Sequence, residues 1–345
     1  MTAELARRRL DLLLVSRMVN IRYLTGFTGS NALLMLSGDR AVLYTDGRYR
    51  IQASEETECR VKVVQGPLIP HAAKPLTRGR LGFEAAHLTF EAYRTLKAHL
   101  PSQVAATPVD GLVEEHRMVK SEAEIDNMRR SAALAGKAFE QTLRHMRPGV
   151  RELDLAAEID YRMRRLGAES PAFETIVASG ARSALPHARP TAKVIGNGEI
   201  VLIDMGAFLD GYASDMTRTV FLGAASPKAR RLYRAVLEAQ EAAVEAARNG
   251  VTAKSVDRAA RRVLRKAGLD KSFVHSTGHG LGLEIHESPR VARKVETQLK
   301  AGMAITVEPG VYLQGFGGIR IEDTIVVTRG GCEILTPTSK ELIEL

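Results

Sequence analysis

Residues 199–222 decide the fold. They read EIVLIDMGAFLDGYASDMTRTVFL, an apolar strand that ends in an aspartate followed by a second strand that carries another. The Asp-Gly pair at 210–211 is typical of a two-residue β-hairpin loop. Counting back from such a loop places Asp204 opposite Thr217, which makes Asp215 the diagonal neighbour of Asp204. The pattern predicts two aspartates on one face of an antiparallel hairpin.

These two aspartates predict a cation site. Diagonal neighbours across a hairpin have Cβ atoms roughly 7 Å apart or less, a spacing that lets two carboxylates reach shared ions. Burying both carboxylates in so apolar a hairpin would be strongly unfavourable without a partner, and a bound cation removes that cost. The alternative is that one or both of Asp204 and Asp215 face solvent.

Composition limits the classes of protein open to this chain. Its 345 residues exceed what one hydrophobic core usually serves, which predicts two domains. The two cysteines, Cys59 and Cys332, lack the spacing of a disulfide framework or a thiolate metal site, which favours a cytoplasmic setting. The net charge of +9 is dispersed over 49 basic and 40 acidic residues without a nucleic-acid-binding motif, so we expect no nucleic-acid partner.

The N-terminal third predicts a small mixed α/β domain over residues 1–116. An initial helix is expected to lead into a strand, because charged residues interrupt the apolar run that a signal peptide or membrane span needs. Short apolar runs then alternate with turn residues at 38–39 and 46–47. We therefore expect no membrane association.

The second domain is expected over residues 117–345 with α+β architecture. Ser121 and Glu124 form a capping box ahead of an amphipathic helical stripe that stops at Pro148. Further helices are predicted at 153–166, 227–247 and 253–267. Because helices and strands come in separate runs, we expect an antiparallel sheet curved under helices.

A glycine-rich segment at 274–289, VHSTGHGLGLEIHESP, carries His275, His279 and His286. No Lys-Ser/Thr pair follows its glycines and no His-Glu-x-x-His occurs, so neither a phosphate loop nor a zinc-protease helix is predicted. Glycines let imidazoles approach a ligand closely, and histidine is the commonest nitrogen ligand of divalent metals. The segment predicts metal or substrate histidines, although a packing role stays open for His275.

Two further carboxylates interrupt apolar strands near the C-terminus. Glu308 lies in VEPGVY and Glu322 lies in RIED. Acidic residues among β-branched neighbours are unusual unless they are paired or coordinated. For Glu322 the alternative is an ion pair with Arg320, which lies on the same strand face by the period of two.

Together, four carboxylates and one histidine from three strand-rich segments suit two divalent ions. Oxygen-rich ligation favours manganese, with cobalt or zinc as alternatives. Two such ions ~3.5–4 Å apart generate hydroxide near neutral pH and polarise a carbonyl, as amide hydrolysis requires. The predicted reaction class is metal-assisted hydrolysis.

Five ordered motifs, LIDMG, YASDMTRT, GHGLGLEIHE, VEPGVY and RIED, resemble those of the creatinase and methionine-aminopeptidase superfamily (M24). The likeness extends over essentially the whole chain and is strongest to the Xaa-Pro peptidases. It implies a creatinase-like N-terminal domain at 1–116 and a catalytic pita-bread domain at 117–345, in which helices cover a curved antiparallel sheet. The implied enzyme is a metallo-exopeptidase.

The resemblance also implies a role for each residue of the metal site. Asp204, Asp215, His279, Glu308 and Glu322 would hold two ions, with Asp215 and Glu322 contributing to both. A metal-bridging hydroxide would attack the carbonyl of the residue before proline, and Glu308 would move the proton.

Four more residues match supporting positions of the family. His286 would steady the carbonyl oxygen or the tetrahedral intermediate. His187, in ALPHARPT, would lie near the substrate, or would be an ordinary loop histidine. Tyr312 and Arg320 would orient ligands and substrate.

Within the family, residues 20–36, NIRYLTGFTGSNALLML, favour an Xaa-Pro aminopeptidase (aminopeptidase P) that acts on longer peptides with proline second. The alternative is an Xaa-Pro dipeptidase (prolidase), which needs a group that captures the dipeptide carboxylate and that the sequence does not reveal. A different class, a metal-free creatinase-like enzyme or a non-catalytic peptide-binding protein, fits the intact ligand set less well. The resemblance further implies a homodimer.

Overall fold

The computed structural model describes residues 1–345, and the contacts between residues divide the chain into two units, Met1–Arg117 and Met118–Leu345. Folding of 1–116 and 117–345 as separate domains stays a prediction. No helix of the chain is both long enough and apolar enough to cross a membrane.

The first unit contains a mixed six-stranded sheet with helices. Its strands are β1 (Leu12–Val15), β2 (Ala32–Ser37), β3 (Arg40–Thr45), β4 (Arg60–Val63), β5 (Gly79–Glu84) and β6 (Val104–Val109). Its helices are α1 (Thr2–Arg7), α2 (Met18–Thr25), α3 (Arg50–Glu56), α4 (Leu68–Ala73), α5 (Phe90–His99) and α6 (Leu112–Arg117). The strand order is β4-β3-β2-β1-β5-β6.

Strand β1 lies inside this sheet and is buried on both faces. Leu12 and Leu14 belong to one core cluster, whereas Leu13 and Val15 belong to another. Successive side chains of a strand point to opposite faces, so a strand covered on both sides has a continuous apolar run. This explains the unbroken LLLV sequence and confirms the predicted passage from helix to strand.

The second unit begins with the predicted capping box and contains four α-helices. The Ser121 hydroxyl accepts from the Glu124 backbone, and the Glu124 carboxylate accepts from the Ser121 backbone. The helices are α7 (Glu122–Leu143), α8 (Glu152–Arg165), α9 (Pro227–Ala246) and α10 (Ala253–Lys266). The predicted ends of α8, α9 and α10 are confirmed to within a residue, while α7 ends before the buried Met146 that closes the stripe.

The strands of the second unit form short ladders. They are β7 (Ser170–Pro171), β8 (Ile176–Ser179), β9 (Glu199–Met205), β10 (Ala207–Leu209), β11 (Tyr212–Ala213), β12 (Met216–Leu222), β13 (Gly278–Gly280), β14 (Glu287–Val291), β15 (Ala304–Val307), β16 (Gly310–Leu313), β17 (Gly317–Arg320), β18 (Asp323–Val327), β19 (Cys332–Ile334) and β20 (Ile343–Glu344). Four sheets result, in the orders β11-β10-β7, β20-β12-β9-β8, β14-β13-β15-β18-β19 and β16-β17. All of their pairs are antiparallel except β12 with β20.

Each helix pair covers one part of this sheet system. Phe139 of α7 and Ile159 of α8 pack with Ile203 of β9 in one core cluster. Val236 of α9 packs with Ile305 of β15 in another cluster that also holds side chains of α10 and β18. The predicted α+β architecture, with antiparallel strands beneath helices, is confirmed.

The antiparallel ladders break where acidic residues lie. β9 and β10 separate at Gly206, and the facing strands β11 and β12 separate at 214–215. β15 and β16 separate at 308–309, and β17 and β18 at 321–322. Pro309 has no N–H to donate to a ladder, which accounts for the break at 308–309 between β15 and β16. The expectation that Glu308 and Glu322 interrupt apolar strands is confirmed, because each lies in a break between two strands.

Candidate metal centre

The first hairpin has the register predicted from its loop. Asp204 pairs with Thr217, and Leu209 pairs with Tyr212. The two loop residues at 210–211 have φ values of 50° and 80°, the left-handed backbone that this two-residue turn requires. The side chains of Asp204 and Asp215 are 13% and 7% exposed, so the alternative of solvent-facing aspartates is wrong.

A second hairpin brings two glutamates face to face. Val307 pairs with Asp323, and Gly310 pairs with Arg320, so the same register runs through the break and places Glu308 opposite Glu322. Glu308 and Glu322 were predicted separately from the sequence. Counting back from the glycine-rich turn between β16 and β17, which includes Gly315, would have paired them.

The two hairpins bring three carboxylates into one cluster. Asp204, Asp215 and Glu322 each offer an oxygen, and these oxygens all lie within 4.8 Å of one another. Glu322 is anchored by its backbone N–H, which donates to the Thr217 carbonyl over 3.1 Å. An oxygen of Glu308 lies 3.6 Å from Nε2 of His279. These distances gather all five predicted metal ligands at one place.

His279 presents an unprotonated nitrogen to the carboxylates. Its Nδ1 lies 3.0 Å from the Gly280 carbonyl oxygen, which can only accept, so Nδ1 carries the proton. Burial lowers the pKa of His279 to about 4, which keeps the ring neutral. Nε2 therefore has a free lone pair, and it lies 3.5 Å from Oδ2 of Asp215.

Close strand packing explains the glycines beside His279. A Cβ at Gly278 would overlap the Thr306 carbonyl oxygen, and a Cβ at Gly280 would overlap the Ser288 carbonyl oxygen. Glycine at these positions lets β13 fit between β14 and β15. The glycine-rich pattern thus positions His279 rather than a phosphate.

Electrostatics make the carboxylate cluster unfavourable on its own. Burial, reinforced by the charges of neighbouring carboxylates, raises the pKa values of Asp215 and Glu322 well above their ordinary range. Burial also raises the pKa of Glu308 to about 7, while the charge of Arg320 opposes the shift. The cluster needs more positive charge than one guanidinium supplies.

Arg320 links the cluster through four hydrogen bonds. Its Nη2 donates to Oδ2 of Asp204 over 2.6 Å, and its Nε donates to the Thr217 hydroxyl over 3.0 Å. That hydroxyl donates to Oε2 of Glu322 over 2.7 Å. Arg320 therefore forms its ion pair with Asp204, and the expected alternative pair with Glu322 is replaced by a bridge through Thr217.

The remaining donors of Arg320 lead to Tyr312 and His275. Nη1 of Arg320 donates to the Tyr312 hydroxyl over 2.8 Å and to the Pro186 carbonyl over 3.1 Å. The Tyr312 hydroxyl lies 2.8 Å from Nε2 of His275, whose Nδ1 faces the Ser276 carbonyl. Burial lowers the pKa of His275 to about 4, so its neutral ring accepts from Tyr312. His275 thus belongs to the network around the cluster.

Two cavities open beside the cluster. One, of about 300 Å³, is lined by Asp204, Asp215, His279, Glu308 and Glu322 together with apolar Phe173, Ile176 and Ile285. The other, of about 460 Å³, is lined by His275, Arg290 and Arg320 among others. Exposed His187 and His286 line both cavities, so the structure brings these predicted residues to the site.

Two residues of this region, Thr217 and Arg290, were not predicted to have a role. Thr217 was placed opposite Asp204 but was not given a role, although its position on the same strand face as Asp215 indicated one. Arg290 lies on β14, 11 residues after His279, and faces the larger cavity. Nothing in the local sequence distinguishes Arg290 from the other arginines of the chain.

Comparison with known proteins follows the same division of the chain. The model of the Metallopeptidase family M24 matches residues 126–329, and the model of the Creatinase/Prolidase N-terminal domain matches residues 1–119. A Pyrococcus furiosus protein named Xaa-Pro dipeptidase is 39% identical over 337 residues, 97% of this chain and 95% of that protein.

Two solved structures are similar over nearly the full length. An Xaa-Pro dipeptidase from Bacillus anthracis superposes with a TM-score of 0.96 at 40% identity, covering 100% of this chain and 99% of that one. An X-Pro aminopeptidase from Thermotoga maritima MSB8 superposes with a TM-score of 0.93 at 36% identity, covering 97% and 98%. These matches confirm the predicted fold, a creatinase-type N-terminal domain followed by a pita-bread domain.

Proposed function

Because this chain belongs to metallopeptidase family M24, we propose that it uses two divalent metal ions to hydrolyse the bond between an N-terminal residue and proline. The observation that carries this proposal is the cluster of Asp204, Asp215 and Glu322, with Nε2 of His279 lying 3.5 Å from Asp215 and 3.6 Å from Glu308. Carboxylate oxygens with one imidazole nitrogen suit manganese, with cobalt or zinc as alternatives. The proposed ligands are Asp204, Asp215, His279, Glu308 and Glu322.

Three properties of the cluster fit bound cations. Oδ1 of Asp204 is buried and has no hydrogen-bond partner within the protein. The raised pKa values of Asp215 and Glu322 show that their charged forms lack compensation. His279 is neutral and turns a lone pair toward the carboxylates. A cation supplies the missing partner and the missing charge.

The residues around the cluster have complementary tasks in this proposal. Bound metal ions would supply a nucleophile at neutral pH and polarise the scissile carbonyl. Glu308, with a pKa of about 7 before metal binds, would move the proton to the leaving prolyl nitrogen. His286 would steady the developing charge on the carbonyl oxygen. Arg320 would hold Asp204, and His187 would contact the substrate.

Proline selectivity has a physical basis in the substrate. The Xaa-Pro bond is a tertiary amide without an N–H, so a site shaped for the proline ring need not satisfy that donor. The free amine of the substrate would be recognised by carboxylates of the cluster. Both ends of the scissile bond would then be fixed relative to the nucleophile.

We place Xaa-Pro dipeptides ahead of longer peptides as the substrate class. Arg290 lines the larger cavity, has no carboxylate within 4.0 Å in the chain, and contributes to the lowered pKa of His279. A guanidinium beside the cluster suits the free carboxylate of a dipeptide, the group that the sequence alone did not reveal. The two similar proteins named dipeptidases support this order.

Aminopeptidase action, the preference drawn from residues 20–36, is the second candidate. The Thermotoga maritima X-Pro aminopeptidase, at 36% identity, supports it.

Three further properties stay predictions. They are manganese as the bound ion, a cytoplasmic location and a homodimeric assembly.

Hydrolysis of two dipeptides tests the proposed function. Manganese-loaded protein is expected to cleave Ala-Pro much faster than Ala-Ala, and Asp215→Ala is expected to lose about 10³-fold or more in kcat because one of the proposed metal ligands is missing. Cleavage of neither dipeptide would contradict dipeptidase action, and failure to cleave Ala-Pro-Ala as well would contradict the proposed function and favour a non-catalytic peptide-binding protein.

A further inference from the structure

A buried ion pair lies behind the loop that connects His279 with His286. Nζ of Lys120 lies 3.1 Å from Oε2 of Glu287, and the two side chains are 1% and 6% exposed. The backbone N–H of Lys120 donates to the Gly302 carbonyl over 2.8 Å, which fixes Lys120 beside β15. The ammonium therefore comes from a part of the unit outside the loop.

Glu287 closes this loop with its side chain as well as its backbone. It pairs with Gly280 across β13 and β14, and its Oε1 accepts from the Glu284 backbone over 3.1 Å. A Cβ at Gly282 would lie 3.0 Å from both Oε1 of Glu287 and Cε of Lys120. Residues 280–287 are thus packed tightly around one carboxylate.

His286 depends on this backbone for its position. It directly precedes Glu287, and its imidazole makes no hydrogen bond within the chain. Its ring centroid lies 4.3 Å from that of His279 at an interplanar angle of 67°. An exposed side chain without a hydrogen bond is oriented mainly by the segment that carries it.

We propose that Lys120, acting through Glu287, is a positioning residue that holds His286 against the substrate carbonyl. This inference rests on the proposed function, in which His286 steadies the carbonyl oxygen. Glu287, whose carboxylate contacts Nζ of Lys120, is not one of the five proposed metal ligands. Loss of the Lys120 charge should therefore alter transition-state stabilisation more than metal or substrate binding.

The test is a double-mutant cycle between Lys120→Met and His286→Ala, with Ala-Pro and manganese. Lys120→Met alone is expected to lower kcat by about 10- to 100-fold, the scale of a misplaced oxyanion partner, with KM and manganese affinity changed less than about threefold. In the His286→Ala background the same change should lower kcat by less than about threefold. Lys137→Met, on the exposed face of α7, is the matched control and should leave kcat unchanged.

The outcomes separate this inference from the proposed function. An unchanged kcat in Lys120→Met, or an equal loss with and without His286, would overturn the positioning role while leaving peptidase activity in place. If Lys120→Met does not fold, Lys120→Met/Glu287→Gln removes both charges of the buried pair, and the same non-additivity with His286→Ala is expected. An inactive wild-type protein would refute the proposed function and this inference with it.

Discussion

Replacement of Glu308 by glutamine is expected to change how the stability of the metal-free protein depends on pH. Burial raises the pKa of Glu308 from 4.5 to about 7 in the folded protein. The folded state thus holds this proton more tightly than the unfolded state does. The stability that comes from the raised pKa of Glu308 is fully present below about pH 4.5 and is lost as the pH rises through 7. At 1.36 kcal/mol per pKa unit, the shift corresponds to roughly 3 kcal/mol as an upper limit.

The assay is denaturant unfolding of metal-stripped wild type and Glu308→Gln at pH 5 and pH 8. Between pH 5 and pH 8 the free energy of unfolding of the wild type should fall by about 2–3 kcal/mol relative to that of the variant. The reason is that glutamine keeps the shape of glutamate but cannot ionise. His275 and His279 titrate in both proteins, so their contributions largely cancel in the comparison. Glu245→Gln, at an exposed site on α9, is the control. The difference in the free energy of unfolding between wild type and Glu245→Gln should change by less than about 0.5 kcal/mol from pH 5 to pH 8. A wild-type-minus-variant difference that stays constant or grows with pH would refute the electrostatic argument.

Three further substitutions test separate parts of the account. Arg290→Gln should raise KM for Ala-Pro about tenfold or more by removing a charge-assisted contact, measured by steady-state kinetics, whereas the exposed Arg293→Gln should not. Asp215→Ala should weaken manganese binding in calorimetric titration by about tenfold or more or remove one ion, and unchanged stoichiometry and affinity would contradict its place as a ligand. Gly278→Ala should lower the free energy of unfolding by about 3 kcal/mol or more, because its Cβ would overlap a carbonyl oxygen of β15. Gly330→Ala, which meets nothing within 4 Å, should leave that free energy almost unchanged.

Local signals in the sequence were sufficient for the first hairpin and the helices. The Asp-Gly loop fixed the register that places Asp204 opposite Thr217, because a two-residue turn leaves no freedom in the pairing. The capping box at Ser121 marked the start of α7 for the same reason, since its hydrogen bonds are local. Such short-range patterns predict structure without knowledge of the rest of the chain.

Tertiary contacts could not be predicted in this way. The ion pair of Arg320 with Asp204 joins residues 116 positions apart, and period two instead suggested Glu322 as its partner. The position of Glu308 and Glu322 beside Asp215 and His279 depends on how the two hairpins meet. The family resemblance supplied the identity of the expected ligands, but the distances among them required the fold.

The most direct test of the account compares Ala-Pro, Ala-Pro-amide and Ala-Pro-Ala with a single manganese-loaded preparation. A charge-assisted contact between Arg290 and the dipeptide carboxylate predicts that kcat/KM for Ala-Pro exceeds that for the amide and the tripeptide by about tenfold or more. Equal values, or faster cleavage of Ala-Pro-Ala, would contradict the dipeptidase assignment and establish aminopeptidase action instead.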